Sequence, residues 1–227
     1  MTDVKICGLT RRQDVEFACA LGAAFLGFNF AAGSPRRVTL ERARELARAA
    51  APGAAKVGVF VRESREEILE AIGQAGLDFV QIHRPLRETD LDLPRPVFAV
   101  ARACDGWVEA PEERLLERCR FLLFDASRPG QPGGTGTTLD WDALAGKRWP
   151  VPIMLAGGLN ADNVEEAVSR IRPAAVDVAS GVESSPGIKD EERLRLFFEA
   201  VRRADALARS SAAKGHVAGR TGHREVS

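Results

Sequence analysis

Two side chains that move protons stand at the ends of short apolar runs. Asp125 closes Phe121-Leu122-Leu123-Phe124, and Cys7 closes Val4-Lys5-Ile6 just ahead of Gly8. A carboxyl group at the rim of an apolar wall loses water, which raises its pKa and keeps it a proton donor. A thiolate at the matching rim would act as general base or nucleophile. Its pKa must then be lowered, or catalysis must run on a small thiolate fraction. Both residues also have plainer readings. An Asp at a strand end caps the next loop, and most cysteines are small buried hydrophobes.

Glycine loops supply the second kind of chemistry. Leu155-Ala156-Gly157-Gly158-Leu159-Asn160 and Ala179-Ser180-Gly181-Val182-Glu183 each follow an apolar run. Bare backbone amides in such loops receive phosphate, whereas the alternative is two tight turns. A phosphorylated small-molecule substrate is the expectation. A third loop, Gly133-Gly134-Thr135-Gly136-Thr137, lacks the lysine of GxxxxGK[ST] and does not complete GxGxxG, so a nucleotide reading of it is weak. In Ser34-Pro35-Arg36-Arg37, Arg36 either grips a carboxylate bidentately or belongs to a solvated basic turn. Cys7, Cys19, Cys104 and Cys119 form no CxxC pair, and with His83, His216 and His223 they give no metal-ligand spacing. No metal and no cofactor is expected.

The elements that must hold these groups read as βα alternation. Eight β-branched or apolar runs recur: Val4–Ile6, Phe25–Phe30, Lys56–Phe60, Phe79–Ile82, Val97–Val100, Phe121–Phe124, Ile153–Leu155 and Val176–Ala179. Stretches with helical spacing follow most of them, with Ser64/Glu67 and Thr10/Gln13 as capping-box pairs and Asn160 as an N-cap. At about 26 residues per unit this suits a single-domain (β/α)8 TIM barrel over 1–208. An open doubly wound sheet shows the same alternation. The helices after strands four and five are the least distinct. Residues 209–227, rich in Ser, Ala, Gly, His and Arg, read as a disordered tail. In a barrel, chemistry sits at the strand C-termini, which here are Cys7, Asn29, Phe60, His83, Arg102, Asp125, Gly157-Gly158 and Ser180-Gly181.

Composition narrows the class. Of 227 residues, 45% are hydrophobic and 28% charged, enough apolar surface for a core. Lys plus Arg and Asp plus Glu are each 32, so no net positive field calls for nucleic acid. No apolar stretch reaches the roughly 18 residues of a membrane span. The N-terminus lacks the regions of a secretory signal, and a cytoplasmic location is expected.

The motifs Lys5-Ile6-Cys7-Gly8-Leu9-Thr10, Gly27-Phe28-Asn29-Phe30, Ser34-Pro35-Arg36, Val57-Gly58-Val59-Phe60, Val80-Gln81-Ile82-His83, Gly133-Gly134-Thr135-Gly136 with Asp140-Trp141, Leu155-Ala156-Gly157-Gly158-Leu159 and Val176-Asp177-Val178-Ala179-Ser180-Gly181-Val182-Glu183 occur in one order. In this order they resemble the phosphoribosylanthranilate isomerase family over nearly the whole chain up to the tail. The resemblance implies a cofactor-free Amadori rearrangement of N-(5-phosphoribosyl)anthranilate to 1-(2-carboxyphenylamino)-1-deoxyribulose 5-phosphate, in tryptophan biosynthesis. Asp125 is then the general acid that opens the ribose ring, and Cys7 the base that takes the C2 proton. Arg36 faces the anthranilate carboxylate, Gln81 and Asp177 line the mouth, and Gly134, Gly136, Gly157, Gly158, Ser180 and Gly181 belong to the phosphate loops. A monomer or homodimer is expected. One departure from the pattern is Arg84, where the family has Gly after the strand-four His. Pointing inward, Arg84 would narrow or recharge the pocket; pointing to solvent, it changes little. Two other functions compete: a different phosphosugar enzyme on the same barrel, of the ribulose-phosphate epimerase or indole-glycerol-phosphate synthase type, and a non-catalytic sensor of a phosphorylated ligand. The first calls for metal-binding strand ends or a lysine general acid, and the second has no use for two proton carriers.

Overall fold

Alternation along the first strand sets the plan of the molecule. In β1 (Asp3–Cys7), Val4 and Ile6 pack outward among helix residues, while Lys5 and Cys7 point into the ring. The computed structural model describes residues 1–104, 107–126, 141 and 144–218. After β1 come α1 (Arg12–Leu21), β2 (Phe25–Asn29), α2 (Leu40–Arg48), β3 (Ala55–Phe60), α3 (Arg65–Ala75) and β4 (Phe79–Ile82). These are followed by β5 (Val97–Cys104), β6 (Trp107–Glu109), α4 (Glu113–Leu116), β7 (Phe121–Asp125), β8 (Ile153–Leu155), α5 (Val164–Ile171) and β9 (Ala175–Val178). The pair β10 (Glu183–Ser185) and β11 (Ile188–Lys189) and the long α6 (Glu191–Ala218) end the described chain.

Eight parallel strands close into a barrel in the order β1, β2, β3, β4, β5, β7, β8, β9. The ring is sealed where β9 pairs with β1 and β4 with β5. This is the (β/α)8 architecture, and the closed ring decides against an open sheet. β6 lies outside it, folded back antiparallel on β5.

Connections vary with what each segment permits. Ser64 caps α3 with a complete capping box to Glu67. Thr10 does not cap α1, whose N-cap is Arg11. Its hydroxyl instead donates to the carbonyl of Gly187, tying the first loop to the β10–β11 hairpin. Asn160 forms a turn of its own, accepting from Asp162 and Asn163 amides, and Asn163 stands at the N-cap of α5. After β4 there is a 3-10 turn over Glu88–Asp92 in place of an α-helix, and after β5 only the single turn of α4. α6 continues past residue 208, the point where the sequence loses its apolar period. The Ala, Ser and Lys residues there are compatible with propagation from an already packed helix. Residues 219–227 lie outside the described residues.

The barrel interior is layered. Its floor is aromatic: Phe25, Phe79, Phe98 and Phe121 meet with ring centroids 5.0–5.8 Å apart, beside Val57, Leu123 and Met154. Toward the C-terminal ends of the strands the inward positions turn polar: Lys5 and Cys7 on β1, Gln81 on β4, Asp125 on β7 and Asp177 on β9. An apolar floor under a polar ceiling places these polar groups at the C-terminal mouth.

Candidate active site

Cys7 ends β1 in register with Gly27 of β2. A Cβ at Gly27 would lie 3.0 Å from Cys7 Sγ and 3.1 Å from Lys5 Nζ, so only glycine leaves room for the two groups to converge. Lys5 is fully buried, and its Nζ donates to Asp177 Oδ1 at 2.9 Å across the β1–β9 pair. The same ammonium and the Cys7 sulfur converge on the Gly27 position. Burial works against the Lys5 charge, but Asp177 and Cys7 outweigh it and hold Lys5 above its ordinary value. Burial pushes the Cys7 thiol up; Lys5 and Lys189 pull it back, Asp177 adds to the rise, and the net direction is upward. The mouth therefore does not lower the thiol pKa, and a base at this position works from a small thiolate fraction.

Asp125 ends β7 half-buried, in register with Arg102 of β5. Gly157, at φ +77°, comes so close that a Cβ would lie 2.9 Å from Asp125 Oδ1 and 2.3 Å from the Ala126 amide nitrogen. The loop backbone after β8 is thus brought against the carboxyl group. His83, just past β4, is held below its usual value by burial; Asp125 opposes this, while Lys5 and Arg102 add to it. Gln81 is fully buried and its amide meets His83 Nε2, while its Oε1 has no hydrogen-bond partner among the described residues.

Arg36 lies across Gly8, where φ is +73° and a Cβ would stand 2.4 Å from Arg36 Cδ. Its Nε and Nη2 donate to Glu183 at 2.9 and 2.7 Å, so this edge of the guanidinium is already occupied. Nη1 remains without a partner among the described residues. Glu183 is shared with Lys189, whose buried Nζ donates to Glu183 Oε1 at 2.8 Å, to the Cys7 carbonyl at 2.6 Å and to the Ala179 carbonyl at 3.0 Å. All three ammonium protons are used. They join the end of β1, the end of β9 and, through Glu183, Arg36.

Gly158 follows Gly157 in the left-handed region at φ +68°, and Asn163 Nδ2 donates to its carbonyl at 2.9 Å. Ser180 and Gly181 form a single 3-10 turn after β9. A Cβ on Gly181 would stand 1.9 Å from the Leu159 carbonyl oxygen, which packs the two loops backbone to backbone. Gly134, Gly136 and Asp140 lie outside the described residues. Arg84 takes neither course open to it from sequence. It forms a two-pronged pair with Asp90 at 2.6 and 2.7 Å, and both line a cavity of about 550 Å³ whose walls also include His83 and Arg102.

Sequence reasoning gave no role to Lys5, Lys189 or Glu183. Lys5 was accessible by phase, since it stands two residues before Cys7 and shares its face of the strand. Lys189 and Glu183 join the site through contacts 182 and 147 residues long, for which the chain carries no local signal. Among the described residues no group of three or more His, Cys, Asp or Glu is placed to hold a metal ion, and no helix is long and apolar enough to cross a membrane.

A family model for N-(5'phosphoribosyl)anthranilate (PRA) isomerase matches residues 4–200. The N-(5'-phosphoribosyl)anthranilate isomerase of Chlorobaculum tepidum is 42% identical over 217 residues, covering 90% of this chain and 97% of its own. That of Chromohalobacter salexigens is 42% identical over 206 residues, covering 90% and 96%. Among solved structures, the phosphoribosyl anthranilate isomerase of Thermotoga maritima superposes with a TM-score of 0.77 at 34% identity, covering 89% of this chain and 99% of that one. A phosphoribosyl anthranilate isomerase in complex with reduced 1-(o-carboxyphenylamino)-1-deoxyribulose 5-phosphate gives 0.71 at 32% identity, covering 89% and 99%.

Proposed function

The chain belongs to the N-(5'-phosphoribosyl)anthranilate isomerase family of tryptophan biosynthesis, and from that premise we propose that Asp125 and Cys7 are the acid and base of its rearrangement. In the first step the Asp125 carboxyl protonates the ribose ring oxygen. The C1–O bond breaks, and the lone pair of the anthranilate nitrogen forms the C1=N bond of a Schiff base. In the second step the Cys7 thiolate takes the C2 proton. The C2–H electrons become a C1=C2 double bond and neutralise the nitrogen. The resulting enolamine moves its hydroxyl proton to C1 and becomes the ketone. Both steps are proton transfers, so the chemistry asks for no redox cofactor and no hydride carrier.

The observation that carries this reading is the layout of the mouth: a buried thiol beside an ammonium on one side, and a half-buried carboxyl pressed against a glycine loop on the other. The remaining roles follow the same layout. The substrate phosphate sits on the backbone of Gly157, Gly158, Ser180 and Gly181, with Gly134 and Gly136 assigned by motif alone. The free end of Arg36 takes the aromatic carboxylate. Gln81 Oε1, buried and unpaired, accepts from a sugar hydroxyl, and Asp177 lines the wall through Lys5.

The test is turnover of N-(5'-phosphoribosyl)anthranilate by the parent, Cys7→Ser and Asp125→Asn, with melting curves for each. Both variants keep shape and polarity, and each is expected to lose about 10²–10⁴-fold in kcat with melting nearly unchanged. Turnover near the parent level by either variant removes that residue from its role.

A further inference from the structure

Lys5 takes no part in the two proton transfers, yet it is a fully buried ammonium at the level of the reacting groups. Burying such a charge is unfavourable by several kcal/mol unless partners compensate. Asp177 at 2.9 Å is one partner, and the Cys7 sulfur, which converges with Nζ on the Gly27 position, stands beside it. A neutral thiol is a weak acceptor, whereas a thiolate receives a charge-assisted bond from the same ammonium. The neighbouring strand keeps this contact open by placing Gly27 where a side chain would press on both Sγ and Nζ.

The charged groups facing Cys7 can be named element by element. β1 supplies Lys5, β9 supplies Asp177, β11 supplies Lys189, β10 supplies Glu183, and the loop after β2 supplies Arg36. Across the mouth stand His83 after β4, Arg102 on β5 and Asp125 on β7. Within the buried cluster around β1, three cations face two carboxylates. A thiolate completes the balance; a thiol leaves one positive charge over.

We infer that Lys5 is the counter-ion of the Cys7 thiolate, a positioning residue that Asp177 orients and that sets how much of the base is available. The inference rests on the reading of Cys7 as base and adds a residue to it. Lys5 works through the sulfur and touches no reacting atom of the substrate.

The experiment follows Cys7 itself. The pH dependence of methyl methanethiosulfonate modification at Cys7, read by peptide mass spectrometry, reports the thiolate independently of turnover. Lys5→Met is expected to move that titration upward by at least about one pH unit, the usual effect of losing an opposite charge at this range. The rising limb of kcat/KM should move by the same amount, so that activity lost at pH 7 returns at higher pH. Asp177→Asn is expected to move the Cys7 titration in the opposite direction, because it removes a negative neighbour. That opposite sign separates electrostatics from general loosening, and Lys5→Gln, which keeps a polar chain without the charge and is expected to move the titration upward as well, carries the test if Lys5→Met does not fold. A Cys7 titration that stays put or falls in Lys5→Met, or rises in Asp177→Asn, overturns the inference while leaving Cys7 as base. Undiminished turnover by Cys7→Ser overturns the base assignment instead, whatever the titrations give.

Discussion

Replacing Lys189 by Met keeps the length of the side chain and removes three buried donors at once. The carbonyls of Cys7 and Ala179 and one oxygen of Glu183 lose bonds of 2.6, 3.0 and 2.8 Å. A hydrogen bond to a charged group is worth about 1.5–3 kcal/mol. Against that gross loss stands relief from burying the ammonium, which is strained enough here that burial holds Lys189 below its ordinary pKa despite Glu183. Desolvation penalties of several kcal/mol leave a net destabilisation of about 2–4 kcal/mol. In a chain of this size each kcal/mol lowers Tm by about 2–4 °C, so the variant should melt roughly 4–16 °C below the parent by calorimetry. Acid should narrow that gap. Burial pushes the Glu183 carboxyl up, but the Arg36 fork and Lys189 outweigh it and hold it below the usual range. Its contribution in the parent is therefore fully present above about pH 4.3 and fades as pH falls through the lower folded value. A variant melting within about 2 °C of the parent at pH 7 would refute the view of Lys189 as the joint of this network.

The thiol sets the pH profile. An ordinary cysteine near 8.5 is only about 3% ionised at pH 7, and Cys7 is pushed higher by burial; kcat/KM should climb about tenfold per pH unit from 6.5 to beyond 8.5, and a plateau reached below pH 7.5 would contradict it. Arg84→Ala should leave turnover within about two-fold of the parent, because Arg84 points to Asp90, and should lower Tm by about 2–4 °C for the loss of roughly 1 kcal/mol from a partly solvated pair; a large change in KM would place Arg84 at the substrate after all. Gly181→Ala drives a methyl into the Leu159 carbonyl and must shift the loop, so KM and the inhibition constant of inorganic phosphate should both rise about tenfold, a change of about 1.4 kcal/mol; unchanged phosphate inhibition would move the phosphate elsewhere.

The strands were legible because their alternation and length are local properties, and the expected barrel then made the strand-end residues Cys7 and Asp125 the candidates. The connections were less so. Between Ile82 and Val97 the chain carries Pro85, Pro94 and Pro96, which cannot donate to a helix ladder, and only a 3-10 turn forms there. Thr10 had the right neighbour for a capping box, but its hydroxyl met the Gly187 carbonyl, a partner 177 residues away. Lys5 shows the limit most clearly. A lysine in mid-strand reads as the solvent-facing half of an alternation, and only the direction of its neighbour Cys7 reveals that this strand is apolar on its outer face and polar within.

Arg36 shows what the long-range contacts add to the motif. A guanidinium offers a carboxylate two bidentate edges, one through Nε and Nη2 and one through Nη1 and Nη2. Glu183 occupies the first. On the proposed reading, the substrate's aromatic carboxylate must therefore approach the second, end-on, along a line fixed by a carboxylate that Lys189 in turn holds against the Cys7 carbonyl. Orientation of the aromatic ring, and with it the distance of C2 from the sulfur, is then set by one connected set of buried charges rather than by Arg36 alone. Glu183→Gln retains a hydrogen bond but drops the charge that fixes the fork, so it should cost kcat more than KM. A change confined to KM would mean that Arg36 holds its direction without Glu183.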